Sequence, residues 1–101
     1  IWTMDIEGGS QTRITDTKKG YAHDPRWSPD GSKIVFALIK KDKRDSDIYV
    51  IDKNGQNLSQ LTKNKSNDSQ PYWTNDGYIY FTSDRGSSKG KYQIWRFKVR
   101  F

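Results

Sequence analysis

With 101 residues, a net charge of +6 and no cysteine, this chain is at most one modest domain or part of one; disulfides, thiol catalysis and thiolate metal sites are excluded. Leu, Ile, Val and Phe number only nineteen, close to the level at which composition suggests disorder, but 14% aromatic content with four Trp and six Tyr can supply an aromatic-rich β core. Eighteen Lys and Arg are interleaved with twelve acids, which is the distribution of a solvated surface more than of a nucleic-acid footprint.

Residues 1–5 read as a strand, with counterparts at 48–52 and 94–97. The opening on Ile1 instead of Met places the natural start elsewhere. Glu7-Gly8-Gly9-Ser10 turns the chain after the first copy and Asn54-Gly55 after the second, and strands over 11–15 and 58–62 follow. Polar connections lead to strands at 23–28 and 69–74, near whose starts stand Pro25 and Pro71. Proline lacks a ladder donor, so both are expected at a strand's beginning and not its centre. Ser28-Pro29-Asp30-Gly31 then fits a type I turn. The strands after it and its counterpart, 33–39 and 78–83, are apolar and aromatic enough to be buried on both faces. The apolar run at 34–39 is far too short to span a membrane.

Trp27-Ser28-Pro29-Asp30-Gly31 returns as Trp73-Thr74-Asn75-Asp76-Gly77, 46 residues on, and Pro25 to Pro71 keeps the same spacing. Such a period marks a solenoid, propeller or array. The strand pattern predicts an all-β fold, a partial β-propeller of four-stranded antiparallel blades with about two blades' worth of strands. Residues 1–15 form the second half of a blade, 23–62 a complete blade, and 69–99 the first three strands of the next. Closing a ring needs further blades from the same protein or from other copies.

The hairpin at 24–36, Asp47-Ile48-Tyr49-Val50-Ile51-Asp52, Leu61-Thr62 and Thr82-Ser83-Asp84-Arg85-Gly86 together resemble the TolB-like β-propeller repeats. The resemblance implies a non-enzymatic binding or scaffolding portion, without cofactor, that presents loops to a protein, peptide or envelope partner. It also implies a periplasmic or otherwise extracytoplasmic location. The alternative is a gating or substrate-binding propeller portion of a prolyl-oligopeptidase-like serine hydrolase. In this family the Pro-x-Trp strand is innermost, so His23, Asp24, Ser69 and Gln70 are the candidate binding residues. Two departures stand out: Thr74-Asn75 for Ser-Pro, and Lys98 where the strand should end on an acid.

Other constellations carry less. Gly86-Ser87-Ser88-Lys89-Gly90 matches G-x-S-x-G, but a nucleophile elbow needs a strand running into a helix, and strands flank it here. His23, Asp24 and Ser28 do not make a triad if neighbours on a strand point to opposite faces. Asp42, Asp45 and Asp47 lack the glycine and distal glutamate of a calcium loop, and cations surround them. No catalytic or metal-binding residue is assigned. In the last strand Trp95, Phe97, Val99 and Phe101 alternate with Ile94, Arg96, Lys98 and Arg100, an amphipathic edge whose rings, if packed inward, cannot stack on bases; nucleic acid is therefore disfavoured as a partner.

Overall fold

The computed structural model describes residues 1–16, 18, 20–63, 65–87 and 89–99. Ser88, Arg100 and Phe101, each singled out above, lie outside the described residues. Among the described residues, nine strands form three antiparallel sheets. The first sheet pairs β1 (Trp2–Thr3) with β2 (Thr12–Arg13). The second runs in the order β3 (Gly20–Trp27), β4 (Lys33–Lys40), β5 (Ser46–Asp52) and β6 (Ser59–Gln60). The third contains β7 (Asp68–Trp73), β8 (Tyr78–Ser83) and β9 (Gln93–Lys98).

Burial follows the alternation of side chains along β4. Ile34, Phe36 and Leu38 join Tyr49 and Ile51 on one face, where Ile14, the residue after β2, completes a core. On the other face, Val35, Ala37 and Ile48 pack against Ile79 and Phe81 of the third sheet. The middle sheet is thus covered on both sides, and β4 is the central strand its apolar run predicts. β8 differs: Ile79, Phe81 and Ser83 are buried while Tyr78, Tyr80 and Thr82 between them are only partly so. Phe97 and Val99 pack inward as the alternation of the last strand requires, whereas Trp95 keeps 43% of its surface exposed.

The prolines are not at strand starts. β3 begins three residues earlier than predicted, at Gly20, whose φ of +133° and 2.1 Å approach of a would-be Cβ to the Ile39 carbonyl leave room for no side chain. Pro25 and Pro71 sit inside β3 and β7 at bulges. Opposite the single residue Phe36 stand both Asp24 and Pro25, and opposite Phe81 stand both Gln70 and Pro71. A bulge leaves one residue out of the ladder, so proline's missing donor is tolerated there.

Both repeat turns close as the sequence suggests. Gly31 N–H donates to the Ser28 carbonyl at 2.9 Å, and Gly77 N–H to that of Thr74 at 3.2 Å. The second turn is one residue shorter: Trp27 pairs with Ile34, but Trp73 with Ile79. In the first, Asp30 Oδ1 accepts from the Ser32 amide at 3.0 Å, the Ser32 hydroxyl at 2.8 Å and the Ser28 hydroxyl at 2.8 Å. The Ser32 bonds, backbone first, hold its carboxyl down to about 2. The Thr74 hydroxyl likewise lowers Asp76. Both carboxyls titrate lower folded than unfolded, so they stabilise the fold fully above the ordinary value of 3.8 and lose that effect as pH falls through their folded values. Asp47 acts in the opposite sense. Burial, then the nearby Asp68, raises its carboxyl, which favours the folded state at low pH and loses that effect as pH rises through the raised value. Asp30→Asn with Asp76→Asn is therefore expected to flatten the acid-unfolding limb below pH 3.8, followed by circular dichroism; an unchanged limb would remove the two turns from the account.

Lys98 keeps the place of the expected acid by changing its partner as well. In the middle sheet Lys33 pairs with Asp52, and Nζ lies 2.6 Å from Oδ1. The equivalent pair in the third sheet is Tyr78 and Lys98, with Nζ 4.9 Å from the ring centroid. An ion pair has been replaced by a cation–π contact.

Candidate functional site

The two bulges shape the inner edge. Asp24 and Gln70 adopt φ of +56° and +51°, left-handed conformations that cost a non-glycine residue about 1–3 kcal/mol and tend to collect at ligand-binding places. The bulge also defeats the strict alternation of a strand. His23 and Asp24, expected on opposite faces, come together, with Nδ1 3.0 Å from Oδ2. His23 Nε2 is buried without a hydrogen-bond partner among the described residues. Ser28 is engaged elsewhere, by Asp30 and the Lys33 amide, so the three residues form no triad.

In the second copy the Thr82 hydroxyl lies 3.2 Å from that of Ser69 and 3.3 Å from Gln70 Oε1. Of the four candidate residues, Asp24 and Gln70 line one groove of about 320 Å³ between the bulges, together with Pro25, Arg26, Pro71 and Tyr72. His23 and Ser69 do not line it; His23 contacts Asp24 directly, whereas Ser69 is linked to Gln70 only through the Thr82 hydroxyl.

Sequence reasoning missed Arg26 and Tyr72. The guanidinium of Arg26 lies 5.4 Å from the centroid of the Tyr72 ring, joining one repeat to the next. These are the variable middle residues of the two Pro-x-Trp motifs, 46 positions apart, so the repeat itself carried the signal. The Asp42, Asp45 and Asp47 cluster assembles no metal site: among the described residues no group of three or more ligating side chains converges.

Face-to-face antiparallel sheets, repeated every 46 residues and joined along the strands that carry the bulged prolines, define a partial β-propeller. A solved structure assigned to TolB from Agrobacterium tumefaciens has this fold, with a TM-score of 0.81 and 22% identity over 97% of this chain and 36% of that one. Residues 1–100 match the family described as the TolB beta propeller domain, and the chain belongs to that family. Tol-Pal system protein TolB of Francisella tularensis subsp. mediasiatica (strain FSC147) is 36% identical over 85 residues, 84% of this chain and 19% of that protein. The protein of the same name from F. tularensis subsp. tularensis (strain FSC 198) matches to the same extent. The chain thus spans 19% of the length of these relatives. No helix among the described residues is long and apolar enough to cross a membrane.

Proposed function

We propose that this chain is a non-enzymatic binding and scaffolding portion of a TolB-type propeller, working outside the cytoplasm, in the periplasm of a bacterium with two membranes. Residues 1–101 act as one partial propeller region, with 1–15, 23–62 and 69–99 as its successive blade portions. Its partner is a protein or peptide of the cell envelope, in keeping with relatives named for the Tol-Pal system. The observation that carries this reading is the pair of bulges, which direct Asp24 and Gln70 from neighbouring repeats into one groove. Strained, polar and rigidly backed, these positions suit recognition of a partner more than chemistry. Nothing favours the hydrolase-gating alternative.

The test is affinity of the full-length protein for purified Tol-Pal components. Replacing His23, Asp24, Ser69 and Gln70 together by Ala is expected to weaken binding by at least about tenfold, the scale of a small cluster of interface residues. Affinity that stays unchanged, in a variant with an unchanged melting curve, would show that the four residues merely finish strand ends.

A further inference from the structure

On the far side of Arg26 from the bulge groove lies a second, larger cleft, about 570 Å³, between the Trp27 end of β3 and the Trp73 end of β7. Pro25, Trp27 and Pro29 form one wall, and Tyr72 and Asn75 belong to the other. The walls are rigid: two prolines, a closed turn on each side, and aromatic rings with few rotatable bonds. Trp27 and Tyr72 are 53% and 55% exposed, so their rings are available to a guest. Aromatic and proline walls of this kind suit an extended polypeptide, since they offer large apolar contact with little ordering cost.

Charge makes the guest more specific. Arg26 lines both this cleft and the bulge groove, and its guanidinium lies by the Tyr72 ring; among the described residues that guanidinium makes no hydrogen bond or ion pair, although the Arg26 backbone pairs with Val35. Among the described residues no acid lines the larger cleft. Of the nearest acidic residues in sequence, Asp24 lines the bulge groove and lies against His23, Asp30 is held by Ser28 and Ser32, and Asp76 by Thr74. A guanidinium that lies beside a ring without hydrogen bonds of its own keeps its N–H donors available to a carboxylate, which it can take through two parallel hydrogen bonds.

We propose that this cleft binds an extended segment of a partner protein that carries a carboxylate, an Asp or Glu side chain or a C-terminus, beside an apolar side chain. The carboxylate lies on Arg26, and the apolar group lies between Trp27 and Tyr72. This rests on the reading of the chain as a partner-binding propeller and adds which chemistry it selects.

The experiment is selection of a random 12-residue peptide library, displayed on phage, against the full-length protein and in parallel against its Arg26→Gln variant. Arg26 is exposed, and an unchanged melting temperature confirms that the variant is folded. The expected result is enrichment of Asp or Glu next to an aromatic or aliphatic residue, and a terminal carboxylate is tested by synthesising the peptides with acid and amide C-termini. Synthetic versions of those peptides should bind about tenfold more tightly than their amide counterparts. In Arg26→Gln the acid-to-amide ratio falls to about one, and in Arg26→Lys part of it returns. Quenching of tryptophan fluorescence on binding, reduced in Trp27→Leu and again in Trp73→Leu, the two tryptophans that line it, places the peptide in this cleft. Selected peptides that bind without acid preference, and equally in Arg26→Gln, would overturn this proposal while leaving the propeller a binding module. A selection that yields no specific peptide from either protein, together with unchanged affinity in the four-residue alanine variant, would overturn both.

Discussion

Asp68→Ala is expected to destabilise the protein by about 3 kcal/mol, the low end of the cost of breaking a buried ion pair, because the Arg85 left unmatched keeps 26% of its side chain exposed. Asp68 is fully buried. Its carboxylate receives Arg85 Nη2 at 2.9 Å and the Ser66 hydroxyl at 2.9 Å, and its carbonyl accepts the Ser46 hydroxyl at 2.6 Å. Arg85 is held in turn by Ser83 Oγ at 3.0 Å and by the rings of Phe81 and Trp95, 5.0 and 5.5 Å from their centroids. The middle sheet fills the same place differently. Asp68 pairs with Ser83 across β7 and β8; Ala22 pairs with Leu38 at the corresponding point of β3 and β4. Replacing the set as a whole, Asp68→Ala with Ser83→Leu and Arg85→Met, should therefore recover most of the loss, because an apolar set makes no demand for a counter-charge. Urea unfolding of the single and triple variants checks this. Equal losses in the two would show that the site needs the ions for reasons other than their mutual satisfaction.

Phe36→Ala should cost as much or more, about 3–5 kcal/mol. Only 1% of Phe36 is exposed, its ring stacks on Tyr49 with centroids 6.1 Å apart, and it is the residue opposite the Asp24–Pro25 bulge. Its loss opens a cavity among Ile14, Leu38 and Ile51 and removes the support under the strained pair above it. Against a typical domain stability of about 5–15 kcal/mol, that is enough to threaten folding. Thermal unfolding measures the loss, and a shift within the range of a surface substitution would mean that the neighbouring half-sheet closes over the gap. Phe97→Ala, at a partly buried position, serves as the milder comparison.

Much of the architecture could be read from local chemistry. Ser28-Pro29-Asp30-Gly31 specified its turn because each residue suits its place in a type I turn, and the 78–83 strand coincides with β8 because turn residues bound it. The repeat of Trp27 and Trp73 established that one unit is built twice. The bulges were not legible. Proline's lack of a donor is satisfied equally by a strand start and by a bulge; Asp24 is of a type that tolerates positive φ, but Gln70 is not, so the pair gave no common signal. The candidate site suffered from the same gap: Asp24 and Gln70 share a groove, but only the bulge shows why His23 turns toward Asp24 and leaves it. Asp68 and Arg85 escaped notice because they meet across a loop seventeen residues apart, with no local motif to join them.

That two neighbouring repeats fasten the same point by different means also bears on how the chain avoids confusing them. Similar units in tandem invite exchange, in which a strand of one copy pairs with its namesake's partner. Here such an exchange between β7 and β4 would lay Asp68 against Leu38, with Lys40, already engaged by Gln60, in place of the Arg85 guanidinium, while Ser83 and Arg85 would face Ala22. The ionic pair adds little net strength over an apolar one, yet it makes the wrong partner expensive. It serves as an address, telling each strand of a nearly symmetric chain which copy it belongs to.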